Sequence, residues 1–240
     1  MKRFWSETRV LASEAQPGAF EVALDDKPIR TPSRAALALP TRPLAEAVAA
    51  EWAAQTDRVD PLSMPLTRAA NTAIDRVLPD PTAARAQVAA YGETDLLCYR
   101  APEPEALAAE QAEAWDPLLD WAARRYGARL SVAEGVMFSA QDEAAIARLA
   151  EAVAALGPWR LTALHELVTL SGSLVIGLAV IEGRLEPGDA WAASRIDERW
   201  NERQWGWDAE AAALAERREA AFRASARLVA LLDAEAAGAG

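Results

Sequence analysis

Residues 20–55 read FEVALDDKPIRTPSRAALALPTRPLAEAVAAEWAAQ, and the change of period inside that run decides the fold class. At its start Phe20, Val22 and Leu24 alternate with Glu21, Ala23 and Asp25, the period of a half-buried strand. Asp25-Asp26 then reads as a hairpin turn leading into Pro28-Ile29-Arg30. From Pro43 the spacing lengthens: Leu44, Val48 and Trp52 recur every four residues, with Glu46 and Glu51 off the stripe. Thr41 is placed to cap this helix and Pro43 to sit in its first turn, so the reading is a helix over 42–55.

Working back toward the start, Thr8–Leu11 and Ala19–Leu24 are short apolar runs separated by Gln16-Pro17-Gly18. Together with Ala36–Leu39 they predict three strands. Working forward, helical periods follow over 67–77, 82–92, 105–126 and 140–156, punctuated by Pro79-Asp80-Pro81, Pro102-Glu103-Pro104 and Gly157-Pro158. TDLLCY (residues 94–99) is too short to classify by period, and 130–138 reads as a connection of open type. Residues 161–170 show one apolar face; 173–182 is apolar nearly all round and predicts a core helix. One helix is expected from Asp189, acting as its cap, to Trp205, and a last one over 208–232. The fold class is α+β: a small β-containing domain over 1–42 and a larger, mostly α-helical domain over 43–240, with the boundary open to about residue 60.

Composition narrows the function. The 240 residues carry 36 acidic and 25 basic side chains, a net charge of −11. Such a chain repels phosphate backbones and anionic lipid, which argues against nucleic-acid binding and membrane docking. One cysteine, Cys98, and one histidine, His165, exclude an internal disulfide, a cysteine-rich zinc site and a histidine metal site. No signal peptide is visible, and the longest apolar stretch, 174–181, is far short of the roughly 20 residues that span a bilayer. The expectation is a cytoplasmic protein without metal or cofactor.

Catalytic signals are sparse. There is no glycine-rich phosphate loop; Gly172-Ser173 and Gly177 are read as lying inside apolar helices, as close-packing positions. Cys98 between Leu97 and Tyr99 reads as a buried hydrophobe. Asp75, Asp95, His165 and Glu198 are the groups a small-molecule enzyme could use in a cleft between domains, and that is the rival reading. The more unusual feature is tryptophan: nine in all, with Trp191, Trp200, Trp205 and Trp207 gathered near RIDERWNE (residues 195–202). On a helix, Asp197, Asn201 and Gln204 share one face and Ile196, Trp200 and Arg203 another. Aromatic rings beside Arg and carboxylates suit a protein partner better than a small-molecule pocket.

Six runs in one order also carry a resemblance: EWAAQ (51–55), MPLTRAANTAID (64–75), TDLLCYR (94–100), QAEAWDPLLDWA (111–122), VTLSGSL (168–174) and DERWNERQWG (197–206). Together they resemble the assembly chaperone of the mitochondrial-type F-type ATP synthase that binds its alpha subunit. The resemblance implies a small N-terminal β-containing domain and a larger helical domain. It also implies a non-enzymatic protein that needs no cofactor and masks the apolar interface of the free alpha subunit until the beta subunit replaces it. An acidic position in the helix before the Trp-Gly pair is functionally important in that family; it matches Asp197 or Glu198, the registration favouring Asp197, where the family usually has Glu. The partner-binding set is therefore Asp197, Glu198, Trp200, Asn201 and Trp205. The implied protein is a monomer, in the cytoplasm of a bacterium as its counterparts are in the mitochondrial matrix.

Overall fold

The computed structural model describes residues 2–14, 16–206 and 208–237. The chain divides into two compact units. The first comprises Met1–Pro81 with Pro158–Ala163 and Ala224–Gly240; the second comprises Thr82–Gly157 and Leu164–Arg223. The fold is α+β, as the change of period implies: a small N-terminal sheet precedes a mostly helical chain. The unit that holds the N-terminal sheet extends past residue 60 and also takes the first two helices.

In the first unit, β1 (Thr8–Ala12), β2 (Phe20–Leu24) and β3 (Lys27–Pro28) form an antiparallel sheet in the order β1-β2-β3, with Val10 opposite Val22. Asp25 adopts a left-handed φ of 53° in the predicted turn. Its carboxylate accepts the backbone N–H groups of Ser6 (2.9 Å) and Glu7 (3.1 Å), which hold its pKa below the ordinary value. Two readings change here. Ala36–Leu39 makes only isolated bridges, Arg30 to Ala36 and Phe20 to Leu39, rather than a strand. And β2 is not half-buried: Glu21 and Ala23 are as covered as Val22 and Leu24, the Glu21 carboxylate accepting the Ser13 hydroxyl. A buried carboxylate survives because it has that partner.

Helix α1 (Arg42–Ala53) packs on β1 and β2 through Leu44, Ala45, Val48 and Ala49, and Thr41 caps it through Leu44 N–H at 3.3 Å. It stops two residues before Gln55, whose amide folds back on Glu51 O and Ser63 Oγ. Glu51 then organises the next element. Its carboxylate accepts Leu66 N–H (2.7 Å), Thr67 N–H (2.8 Å) and the Thr67 hydroxyl (2.7 Å). These satisfy first-turn donors of α2 (Pro65–Thr72), whose own N-cap residue, Met64, offers no side-chain bond. The helix read over 67–77 loosens after Thr72 into a π turn, Ala73–Val77, closed by Leu78 N–H on Ala73 O.

The second unit opens with α3 (Thr82–Ala90), two 3₁₀ turns and β4 (Tyr99–Arg100). The long helix α4 (Glu105–Tyr126) tolerates Pro117 and ends at Gly127 with φ 68°. Then come β5 (Ala133–Glu134), parallel to β4, α5 (Glu143–Ala154), α6 (Pro158–Ser171) and α7 (Leu174–Ile181). They are followed by α8 (Pro187–Ala193), α9 (Ile196–Trp205) and α10 (Ala209–Ala237). The first residues of α6 and the last part of α10 group with the first unit. No helix among the described residues is long and apolar enough to cross a membrane.

All eight residues of α7 are buried, as its uniform apolarity requires. Gly172 and Ser173 are not interior to a helix: Gly172 ends α6 with φ 74°, and the Ser173 hydroxyl caps α7 through Ile176 N–H at 3.0 Å. The segment 94–99, open by period, resolves as a 3₁₀ turn over Leu96–Cys98 running into β4. Asp95 locks it to α7, one oxygen accepting Leu97 N–H and the other Val175 N–H, both at 3.0 Å.

Gly177 carries the close-packing role read for it. A Cβ there would sit 2.7 Å from Val168 Cγ2 and 2.8 Å from Leu164 Cδ1, both on α6. Gly177→Ala should therefore lower stability by about 1–3 kcal/mol, despite the better helix propensity of Ala, because α6 must yield. Urea unfolding monitored by circular dichroism checks this; an unchanged or raised midpoint would mean that α6 shifts freely.

Candidate functional site

The RIDERWNE run does not form one helix with the residues before it. The chain breaks at Ser194-Arg195, where Arg195 has φ −120° and ψ 18°. Two side chains occupy carbonyls at the end of α8: the Ser194 hydroxyl donates to Trp191 O and the Trp115 indole donates to Ala193 O, both at 2.8 Å. Asp189 lies in the first turn of α8, and Glu186 holds the cap position expected for it. Helix α9 thus starts afresh at Ile196 and packs on α4.

That packing turns one carboxylate inward. Asp197 is half-buried and accepts the Gln111 amide N–H at 2.6 Å. Gln111, only 1% exposed, uses its amide oxygen to accept Ala101 N–H at 2.8 Å. A buried amide satisfied at both ends is a rigid positioning device. Glu198 points the other way, exposed, and pairs with Arg195 at 2.6 Å, while Glu202 lies 3.9 Å from the same guanidinium. Arg195 also sits 5.7 Å from the Trp191 ring.

The predicted faces are unequal. Asn201 and Gln204 are exposed whereas Asp197 is partly covered, so the three do not present one uniform surface. Trp200 is half-buried beneath Arg203 at 5.2 Å, and Arg203 pairs with Glu110 of α4 at 2.5 Å. Trp191 belongs to the core, tilted against Phe222 at 5.6 Å. Trp205, by contrast, stands 86% exposed at the end of α9, before Gly206 with φ 89°. Trp207 lies outside the described residues. Gln111 is absent from the predicted set. Its signal was an amide on the apolar stripe of α4, between Leu107 and Trp115.

Two of the groups considered for catalysis, Asp75 and Asp95, are held in structural hydrogen bonds. Asp75 lies in the first unit; burial raises its pKa, but the Thr31 hydroxyl (2.6 Å) and Ser33 N–H (3.1 Å) outweigh that and hold it below the ordinary value. Asp95 is fully buried, and burial raises its pKa in spite of its backbone donors. Cys98 is buried, and desolvation, reinforced by Asp95, pushes its thiol up to about 12. His165 is half-buried on α6. A cavity of about 340 Å³ in the second unit is lined by other groups, among them Arg125, Tyr126, Arg148 and Glu182. There Arg125 and the Tyr126 hydroxyl both engage Glu182. Among the described residues no group of three His, Cys, Asp or Glu side chains could hold a metal ion.

Comparison with known proteins gives one answer. The family model described as ATP12 chaperone protein matches residues 2–123. A protein of Schizosaccharomyces pombe named mitochondrial protein atp12 is 25% identical over 221 residues, 85% of this chain and 74% of that one. The crystal structure of Atp12 from Paracoccus denitrificans is 49% identical, with a TM-score of 0.90 over 96% of this chain and 98% of that one. A structure of the same bacterium's Atp12 carrying an aspartate-to-lysine substitution is also similar, at 48% and 0.90. A candidate chaperone from Agrobacterium tumefaciens follows at 41% and 0.91, over 96% of this chain and 86% of that one.

Two measurements check the geometry. Gln111→Leu should cost about 1–3 kcal/mol, since it strands Ala101 N–H and the Asp197 carboxylate. A double-mutant cycle with Asp197→Leu should return a coupling of about 0.5 kcal/mol or more; zero coupling would mean that the hydrogen bond holds nothing. At pH 8 about one Cys98 in 10,000 would be thiolate, against roughly a quarter of free cysteine. Alkylation of the native protein should therefore be more than about a hundredfold slower than in urea, and equal rates would contradict the burial.

Proposed function

The chain belongs to the ATP12 chaperone family, chaperones of ATP synthase assembly rather than enzymes, and we propose that it holds the free alpha subunit of the F-type ATP synthase until the beta subunit displaces it. The observation that carries this reading is the α9 surface: a Trp205 indole left in solvent beside Asn201 and Glu198, with Asp197 held in place by Gln111. Tryptophan is among the residues most enriched in protein-binding hot spots, and an indole left exposed on a helix is a candidate for one. The alpha subunit as the partner comes from the resemblance of the six motifs.

The physical task explains the mixed character of the surface. A free subunit of a permanent complex exposes a large apolar interface that aggregates. A chaperone must cover it and later release it, so part of its contact should be polar and exchangeable. The net charge of −11 helps in a second way, by steering the chaperone to a basic interface and keeping its own copies apart. On this reading Asp197, Glu198, Trp200, Asn201 and Trp205 contact the subunit, and the protein acts as a monomer in the bacterial cytoplasm without nucleotide, metal or nucleic acid.

Suppression of aggregation of purified alpha subunit, with beta subunit and an unrelated unfolded protein as controls, tests the reading. Only the alpha subunit should be protected; equal protection of all three would make this a general holdase. Trp205→Ser should weaken alpha binding by about 30-fold, the effect of a hot-spot residue worth about 2 kcal/mol. Asp197→Asn keeps an oxygen for Gln111 and should melt within about 3 °C of wild type while losing alpha binding by about tenfold. Glu198→Lys, freed from its pair with Arg195, should behave likewise. Variants that fold and bind normally would place the contact elsewhere.

A further inference from the structure

The loop between β5 and α5 carries an apolar tip that the fold does not use. Val136, Met137 and Phe138 follow one another and are 95%, 79% and 66% exposed; Val132 nearby is 49% exposed. Three consecutive large apolar side chains in solvent serve no packing purpose, and such runs mark contact sites. The loop is nevertheless held at its base. The Gln141 side chain clamps the Ser131 backbone at both ends, accepting its N–H at 2.7 Å and donating to its carbonyl at 2.9 Å. Gly135, with φ 81°, turns the chain and donates its N–H to Arg100 O at 2.8 Å. An apolar tip on an ordered stem loses little entropy on binding.

The stem of this loop is linked to α9 by hydrogen bonds. From Gly135 N–H the path runs to Arg100 O, across one peptide group to Ala101 N–H, through the Gln111 amide and on to the Asp197 carboxylate. Three hydrogen bonds of 2.6–2.8 Å and two amide widths of about 2.3 Å place Gly135 within about 13 Å of that carboxylate.

We propose that Val136, Met137 and Phe138 are the apolar half of the client-binding surface, inserting into the exposed subunit interface of the free alpha subunit while α9 makes the polar contacts. The inference rests on the reading of α9 given above. Charge disfavours the other occupants. Residues 135–141 carry none, but Glu134, Asp142 and Glu143 form an acidic collar on a chain of net charge −11. An anionic membrane or a second copy of the chain would be repelled by that collar, whereas an apolar interface with basic groups at its rim would be attracted. Met137 suits a surface that must first bind and then yield, because its unbranched thioether adapts to different partners.

The test replaces the tip with Val136→Ser, Met137→Ser and Phe138→Ser together, at positions whose exposure leaves little packing to lose. Isothermal titration with purified alpha subunit, melting curves and sedimentation velocity of the chaperone alone are read for both proteins. Wild type should be monomeric and bind; the variant should melt like wild type and bind at least about tenfold more weakly. A variant that binds as wild type does, while Trp205→Ser does not, would overturn this inference and leave the α9 reading standing. A wild type that self-associates through the tip, with the variant monomeric, would make the loop a self-interface and also overturn it. Failure of wild type to bind alpha subunit would bring down both.

Discussion

The second unit is organised around one buried carboxylate. Asp95 has no access to solvent, yet its two oxygens accept backbone N–H groups from Leu97 and from Val175, eighty positions away in sequence. Leu96 N–H adds a bond to Gly172 O at the end of α6. Without an acceptor there, first-turn donors of α7, a helix buried on every side, would face the protein interior unmet. Everything that follows the Asp95 turn inherits its position: β4, the Arg100 carbonyl that holds the 135–138 loop, and Ala101, whose N–H fixes Gln111 and through it Asp197. The placement of Asp197 is thus tied, through these bonds, to how one helix terminus is satisfied.

The motifs that identify the family do much the same work. Glu51 of EWAAQ reaches into PLTR and supplies the first turn of α2 with acceptors. Asp75, at the end of the same motif, anchors Thr31 and Ser33. Gln111 of QAEAW holds Asp197 of DERWNE. These are polar residues bonded across long sequence separations, where a substitution strands a buried donor or acceptor. The candidate contact residues Trp205 and Asn201 and the proposed loop tip are, by contrast, exposed.

Some of this was legible in residues and some was not. Helix α4 begins at Glu105 and ends at Tyr126 as read, because Pro104 and Gly127 punctuate it by their own backbone preferences. The burial of α7 and the cap at Thr41 follow equally from local composition. The strand read over Ala36–Leu39 failed because pairing needs a neighbour in register, and only Phe20 and Arg30 provide one bridge each. The single helix read over 189–205 failed because the Trp115 indole, from another element, takes a carbonyl at the break. Of the candidate contact residues, Trp205 and Glu198 stand where an exposed charged helix would put them, whereas the inward turn of Asp197 depends on Gln111.

The sequence by itself determined the fold class, the change from strand to helix near residue 43, the ends of the best-punctuated helices and the family. Those properties depend on dihedral preferences, caps and periods that act within a turn or two of each residue. Only the tertiary structure decided that both faces of β2 are covered, that RIDERWNE starts a new helix, that Asp197 and Glu198 face different neighbours, and that Val136, Met137 and Phe138 stay in solvent. Each of these is set by a partner distant along the chain, or by the lack of one, and period and propensity carry no information about which distant groups will meet.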